Sequence, residues 1–213
     1  MSEAKGGCGE TRVAASIWTP ANVVTCVRIA FIPLFMVVAT LAAPASGVLA
    51  DADPLLAGLA FVLYAALSAT DKVDGHLARS RGEITDFGKF LDPIADKLLV
   101  FSALLLLLQE NHVSVWAVFV ILLREFLVSA LRMVASANGE VIAADALGKA
   151  KTAVTMVSLC GYYLSFFLAA AGLLELGELI SLVSWALMVA AVVLTVVSGA
   201  QYFWNARHVV FRA

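Results

Sequence analysis

The sequence predicts an all-α integral membrane protein, a six-transmembrane-helix bundle with both termini cytoplasmic, and three observations carry that expectation. Hydrophobic residues fill 62% of the 213 positions and charged residues 14%, with a mean hydropathy of +0.95, against roughly 45–50% and 25% in soluble domains. Six apolar stretches lie near 20–43, 54–79, 90–109, 114–136, 149–173 and 178–205, each close to the roughly 20 residues that cross a bilayer. The 14 Lys and Arg residues fall near the N-terminus, around the second and fourth connections and at the C-terminus, and the other three connections carry none. By the positive-inside rule those cationic parts face the cytoplasm. The connections are too short for a second domain, so residues 1–18 are expected to form a short polar segment, 19–205 one membrane domain and 206–213 a cytoplasmic tail. The segment before Ser16 lacks the apolar core and cleavage site of a signal peptide, so the first span is expected to serve as its own uncleaved insertion signal. The net charge of −2 argues little for nucleic acid as a partner.

The first helix begins at Thr19-Pro20, an N-cap followed by proline at the first helical position. Asn22, Thr25 and Arg28 then recur every three residues as a polar stripe. One reading makes the stripe a solvated helix end with Arg28 snorkelling to the headgroups. The other gives Asn22 and Thr25 contact with a nucleotide and sets Arg28 near a phosphate.

The second and third helices carry the most expensive residues in the chain. An unpaired carboxylate within a membrane costs about 2.5 kcal/mol or more, yet Asp71, Asp74, Asp92 and Asp96 all sit between membrane-length apolar stretches. At about 100° per residue, Asp71, Asp74, Gly75 and Ala78 share one helical face, and Gly88, Asp92 and Asp96 recur every four residues on the next helix. If the two helices are antiparallel neighbours, the acids can converge. Oxygen donors without His or Cys favour Mg²⁺ or Mn²⁺ over zinc or copper, and four carboxylates suffice for two ions. An ion pair about 3.5–4 Å apart is a common device for displacement at phosphorus. Gly75, Ala78 and Gly88 leave room for a base or ribose against the helices, or for a partner helix, and Arg79 could fork onto a diphosphate.

The fourth helix places Arg124, Glu125, Ser129 and Arg132 along one arc of an apolar surface, with two arginines against one glutamate. The fifth opens at Gly148-Lys149-Ala150-Lys151-Thr152 on the same side. A phosphorylated substrate suits such a cationic pocket, although each cation could instead serve orientation or anchoring, and Lys89 and Lys97 could simply balance the acids. In the later helices, Gly161, Gly172, Gly199 and the alanine-rich stretches permit close packing. Trp18, Trp116 and Trp204 mark interfaces, and Trp185 is expected to pack inside the sixth span. Cys8, Cys26 and Cys160 have no metal-ligand spacing and read as inert thiols.

The run D-x2-D-G-x2-A-R-x8-G-x3-D-x3-D, complete from Asp71 to Asp96, resembles the signature of the CDP-alcohol phosphotransferases. The N-x2-T-x2-R stripe is similar to that family's first span. The resemblance implies a six-helix membrane enzyme, generally a homodimer, that moves a phosphatidyl group from a CDP-linked lipid to an alcohol and releases CMP. It further implies that Asp71, Asp74 and Asp92 bind two metals, and that Asp96 is both a metal ligand and the general base. Gly75, Ala78 and Arg79 would meet the cytidine and diphosphate, with a hydroxyl contact from Thr85. Together, R-E-x3-S-A-L-R, G-K-x-K-T and T-D-F-G-K-F-L-D-P-x-A-D-K resemble the branch that joins CDP-diacylglycerol to sn-glycerol 3-phosphate, with Arg28, Arg124, Arg132, Lys149 and Lys151 toward the acceptor phosphate. The branch that uses inositol 1-phosphate needs similar cations and is the nearest rival. A divalent-cation transporter would instead distribute acids across the bilayer, and here they gather at one end.

Overall fold

Thr19 caps the first helix, accepting a hydrogen bond from the Asn22 backbone N–H at 3.3 Å, with Pro20 behind it. Asp53 and Pro54 repeat the device at the second helix, where the Leu55 N–H donates to Asp53 Oδ1 at 2.8 Å. The computed structural model describes residues 19–43, 52–81, 86–137 and 146–210, with the side chains of 20–21, 71–90, 92–93, 96, 136–137, 146 and 205–210 outside that description. Among the described residues the helices are α1 (Pro20–Ala42), α2 (Pro54–Arg81), α3 (Asp86–Gln109), α4 (Val115–Ala137), α5 (Ala146–Ala170) and α6 (Leu174–Val210). They follow the expected order, with α3 starting four residues early and α6 continuing to Val210.

Two tight turns reverse the chain at one end of the bundle. After α3, Asn111 adopts φ 61° and the His112 N–H returns to the Leu107 carbonyl at 2.9 Å. After α5, Gly172 adopts φ 85° and the Leu173 N–H returns to the Leu168 carbonyl at 2.9 Å. Both satisfy carbonyls that a helix end leaves bare, and the left-handed φ suits Gly and Asn.

The first two helices each turn a single stripe inward. On α1 the buried series is Asn22, Thr25, Arg28, Ile32, Phe35, Val38 and Ala42, and on α2 it is Ala57, Ala60, Tyr64 and Leu67. Spacings of three and four keep such a series on one helical face. Phe35, Tyr64 and Tyr163 tie α1, α2 and α5 together with ring centroids 5.1–5.6 Å apart, each pair contributing about 0.5–1.5 kcal/mol beyond burial. The Tyr163 hydroxyl donates to the Ala103 carbonyl on α3 at 3.4 Å.

The longest contact runs between α5 and α6 as an antiparallel hairpin. Ser184 lies where a Cβ on Gly161 would stand, and Gly177 lies against Ser165 and Ala169. The Ser158 hydroxyl donates to the Ser184 carbonyl at 2.7 Å. Small residues let the two backbones approach, and hydroxyls satisfied by helix carbonyls carry no polar penalty in an apolar medium.

The outward faces are apolar. Val23, Val27, Phe31, Leu34, Val37 and Leu41 are exposed along α1, and Leu179, Leu182, Val189, Val193 and Val197 along α6. A soluble monomer rarely exposes so continuous an apolar surface. By length and composition Asn22–Ala42, Leu147–Ala170 and Leu174–Trp204 can cross a membrane. Shorter apolar runs, Pro54–Thr70 and Lys97–Gln109, occupy α2 and α3, because each of these helices gives one end to the aspartates. On α4 the apolar run is broken by Arg124, Glu125 and Arg132. Trp185 departs from expectation: it is 55% exposed on the outer face of α6, because the inward stripe there runs through Ser184, Met188 and Ala191.

Candidate active site

Antiparallel packing brings the polar ends of the helices together. The N-terminal part of α2 (Ala57, Ala60) meets the C-terminal part of α3 (Leu106, Leu107) around an alanine-rich cavity. The C-terminal end of α2, with Asp71 and Asp74, therefore lies at the same end of the bundle as the N-terminal part of α3, with Asp92 and Asp96. The backbone from Asp71 to Arg81 and from Asp86 to Asp96 is helical, so Gly75, Ala78, Arg79 and Gly88 keep the expected register. At about 1.5 Å rise per residue, Asp92 and Asp96 stand about 6 Å apart along the axis. The spacing continues the buried series of both helices, with Asp71 four residues after Leu67 and Asp92 three before Ala95. Four oxygen donors with no nitrogen or sulfur among them fit a hard divalent cation. The side chains of Asp71, Asp74, Arg79, Asp92 and Asp96, and the whole of Thr85, lie outside the described residues.

The polar stripe of α1 points inward. Asn22 is 3% exposed, Thr25 0% and Arg28 2%, so Arg28 does not snorkel to the surface. Its guanidinium is enclosed at the level where α1 changes from polar to apolar, one turn before Ile32. Burying an arginine within a bundle is costly unless its charge is used.

A second cluster is assembled from α3, α4 and α5. Glu125 on α4 pairs with Lys151 on α5 and, through the same Oε1 atom, with Arg124 Nη1 at 3.1 Å. Ser129, one turn further on, accepts a hydrogen bond from Lys97 on α3 and donates to the Glu125 carbonyl at 2.7 Å. Lys97, Glu125, Lys151, Thr152 and Thr155 line a small, partly open cavity with Val100, Phe101 and Ile121. Arg124 stands behind it, because Gly148 and Gly199 leave space for its side chain: a Cβ on either would come within 3.2 Å and 3.1 Å of Arg124 atoms. Its Nε is buried without a hydrogen-bond partner among the described residues.

The predicted cations therefore separate. Arg124 and Lys151 meet at Glu125. Arg132 does not join them: it is more exposed, donates from Nε to the Tyr202 hydroxyl at 3.2 Å and stacks 5.6 Å from that ring on α6. Lys149 is exposed. Lys97, which the sequence allowed as a mere counter-charge to the acids, lines the cavity instead. Its sequence signal was adjacency to Asp96, which puts it at the depth of the acids but not toward α4.

An apolar-faced helical bundle that encloses its cations at the end carrying the carboxylates has the architecture of a membrane protein. The chain belongs to the CDP-alcohol phosphatidyltransferase family, whose model matches residues 18–198. It is 42% identical over 195 residues to the CDP-diacylglycerol–glycerol-3-phosphate 3-phosphatidyltransferase of Bacillus subtilis, spanning 87% of this chain and 95% of that protein. It is 35% identical over 194 residues to a probable phosphatidylglycerophosphate synthase of Mycobacterium tuberculosis, spanning 91% and 84%. A third relative, the CDP-diacylglycerol–glycerol-3-phosphate 3-phosphatidyltransferase of Rickettsia bellii, is 34% identical over 182 residues, spanning 85% and 92%.

Proposed function

We propose that the protein transfers the phosphatidyl group of CDP-diacylglycerol to sn-glycerol 3-phosphate, giving phosphatidylglycerophosphate and CMP. The observation that carries this reading is the cationic cavity of Lys97 and Lys151 beginning one residue from Asp96, so that an acceptor's phosphate and the reacting group can be held side by side. Relatives that match most of the chain carry the corresponding name.

Asp71, Asp74, Asp92 and Asp96 are the proposed ligands of two Mg²⁺ or Mn²⁺ ions, whose charge would stabilise the diphosphate as CMP departs. Asn22, Thr25, Gly75, Ala78, Arg79, Thr85 and Gly88 are assigned to the CDP-lipid, the small residues admitting the nucleotide against the helices. Asp96 takes the proton of the acceptor hydroxyl as its oxygen attacks the lipid-bearing phosphorus, and the bond from that phosphorus to the bridging oxygen breaks with CMP as leaving group. Lys151 serves the acceptor phosphate with Arg124 one layer behind it, Arg28 lies near a phosphate on the α1 side, and Arg132 and Lys149 stand at the exposed margin. Fixing both substrates converts a bimolecular encounter into a near-unimolecular step.

The reading includes six membrane passes, cytoplasmic termini, an active site open to the cytoplasm and a homodimer in the cell membrane. The clustering of cations at the ends that carry the acids supports the orientation. The same clustering disfavours a cation transporter, which needs charge across the whole bilayer.

The test is CMP release by purified protein from CDP-diacylglycerol and Mg²⁺, with sn-glycerol 3-phosphate, inositol 1-phosphate and serine offered in parallel. Dependence on glycerol 3-phosphate is expected. Preference for inositol 1-phosphate would keep the aspartate chemistry and overturn the acceptor, and absence of release with all three would overturn the reaction.

A further inference from the structure

Glu125 is an unusual residue to place inside a site for an anion, since its carboxylate would repel a phosphate. Its surroundings resolve the conflict. The carboxylate bonds Lys151 on one side and Arg124 on the other, and Arg124 lies outside the cavity lining whereas Lys97 and Lys151 lie within it. Arg124 therefore compensates Glu125 from behind. The cavity keeps the positive charges of Lys97 and Lys151, which match the charge of about −1.5 to −2 that a phosphate monoester carries near neutral pH.

Both lysines are tethered through the same turn of α4. Lys151 is held by the Glu125 side chain, and Lys97 is held by Ser129, whose hydroxyl donates to the Glu125 carbonyl. Lysine is a point charge on a flexible stem, so a phosphate gains from two ammonium groups only if something else has already ordered them. Lys151 is 4% exposed, and arginine at 124 is accommodated only because positions 148 and 199 are glycines. Resting on the acceptor assignment above, we infer that Glu125 is the positioning residue of the acceptor-phosphate site, with Ser129 as its auxiliary and Lys97 as a further cation that selects a phosphorylated acceptor.

The experiment uses the full chain in lipid nanodiscs, with separate KM values for sn-glycerol 3-phosphate and CDP-diacylglycerol. Lys151→Met tests the underlying assignment: if it leaves the acceptor KM unchanged, that assignment fails and the inference with it. Given a rise there, Glu125→Gln is expected to raise the acceptor KM roughly tenfold or more, the scale of a lost charge-assisted hydrogen bond, with the CDP-diacylglycerol KM within about twofold. Glu125→Asp should recover part of the loss, and the double variant Glu125→Gln/Lys151→Met should be little worse than Lys151→Met alone, because one residue acts through the other. An unchanged acceptor KM in Glu125→Gln, additive losses in the double variant, or equal changes in both KM values would overturn the inference. Should Glu125→Gln fail to accumulate, as loss of one buried partner can cause, Ser129→Ala decides: a rise of roughly threefold in acceptor KM alone supports the tether, and no rise overturns it.

Discussion

The acids and the cations of this site are distributed differently along the chain. Asp71, Asp74, Asp92 and Asp96 occupy two consecutive helices, whereas Lys97, Arg124 and Lys151 come from three helices and meet through Glu125 and Ser129. Donors for a small cation need fixed separations, and a helix supplies these locally at intervals of three and four residues. A pocket for a phosphate needs charges arriving from several directions, and only packing supplies that. Acid geometry therefore resides in local spacing, whereas the cation geometry depends on glycines far away in sequence, Gly148 and Gly199, that let Arg124 in.

The contrast can be broken most severely at the acids. Asp96→Asn should lower CMP release by about 10²–10⁴-fold, the range of general-base catalysis, while CDP-diacylglycerol binding is largely kept; Asp74→Ala should lose both. An active Asp96→Asn enzyme would remove the base assignment. A remote change comes next: Gly199→Leu places side-chain atoms where Arg124 Cγ already lies, since a Cβ alone would be 3.1 Å away. The acceptor KM should rise roughly tenfold with little change for CDP-diacylglycerol, although residue 199 carries no charge. Equal changes in both KM values would show that packing as a whole had failed.

Gly161→Val supplies the purely structural counterpart. Its side chain would collide with Ser184 on α6, costing about 1–3 kcal/mol as overpacking, and thermal unfolding in detergent should show the loss with KM values of the surviving protein preserved. Arg132→Ala should raise the acceptor KM by roughly threefold or less, since its guanidinium is engaged with Tyr202 and a partly exposed contact contributes about 0.5–1 kcal/mol. A tenfold rise would move Arg132 into the pocket.

The smallest effect is expected at the opposite end of the bundle. Burial among Tyr162 and Phe166 pushes the His112 imidazole below its ordinary range, and Glu110 offsets this in part. The folded protein then holds neutral His112 while the unfolded chain protonates first, so this contribution to stability is present above about pH 6.5 and declines as pH falls below it. Unfolding temperatures at pH 7.5 and 5.5 should differ less in His112→Phe than in the parent protein.

Much of this is legible in the sequence. Helix order, the cap at Thr19 and the acid register follow from hydropathy, capping chemistry and periodicity. The stripe Asn22, Thr25, Arg28 was visible as a stripe, but whether it faced water or the interior was not, because a polar face at a helix end has the same spacing in both cases. Burial of Arg28 at 2% exposure decides it. Arg132 and Lys151 looked equivalent in sequence. They differ because Lys151 begins the inward stripe of α5, whereas Arg132 reaches across to Tyr202 on α6.

The sequence by itself determined the helices, their apolar character and the spacing of the carboxylates, since each depends on neighbours within a turn or two of chain. Tertiary structure alone decided that Glu125 joins Lys151 and Arg124, that Lys97 shares the cavity of Glu125 and Lys151, and that two glycines from other helices make room for an arginine. Periodicity orders residues along one helix, but which face of one helix meets which face of another is set by side-chain volumes across the whole bundle.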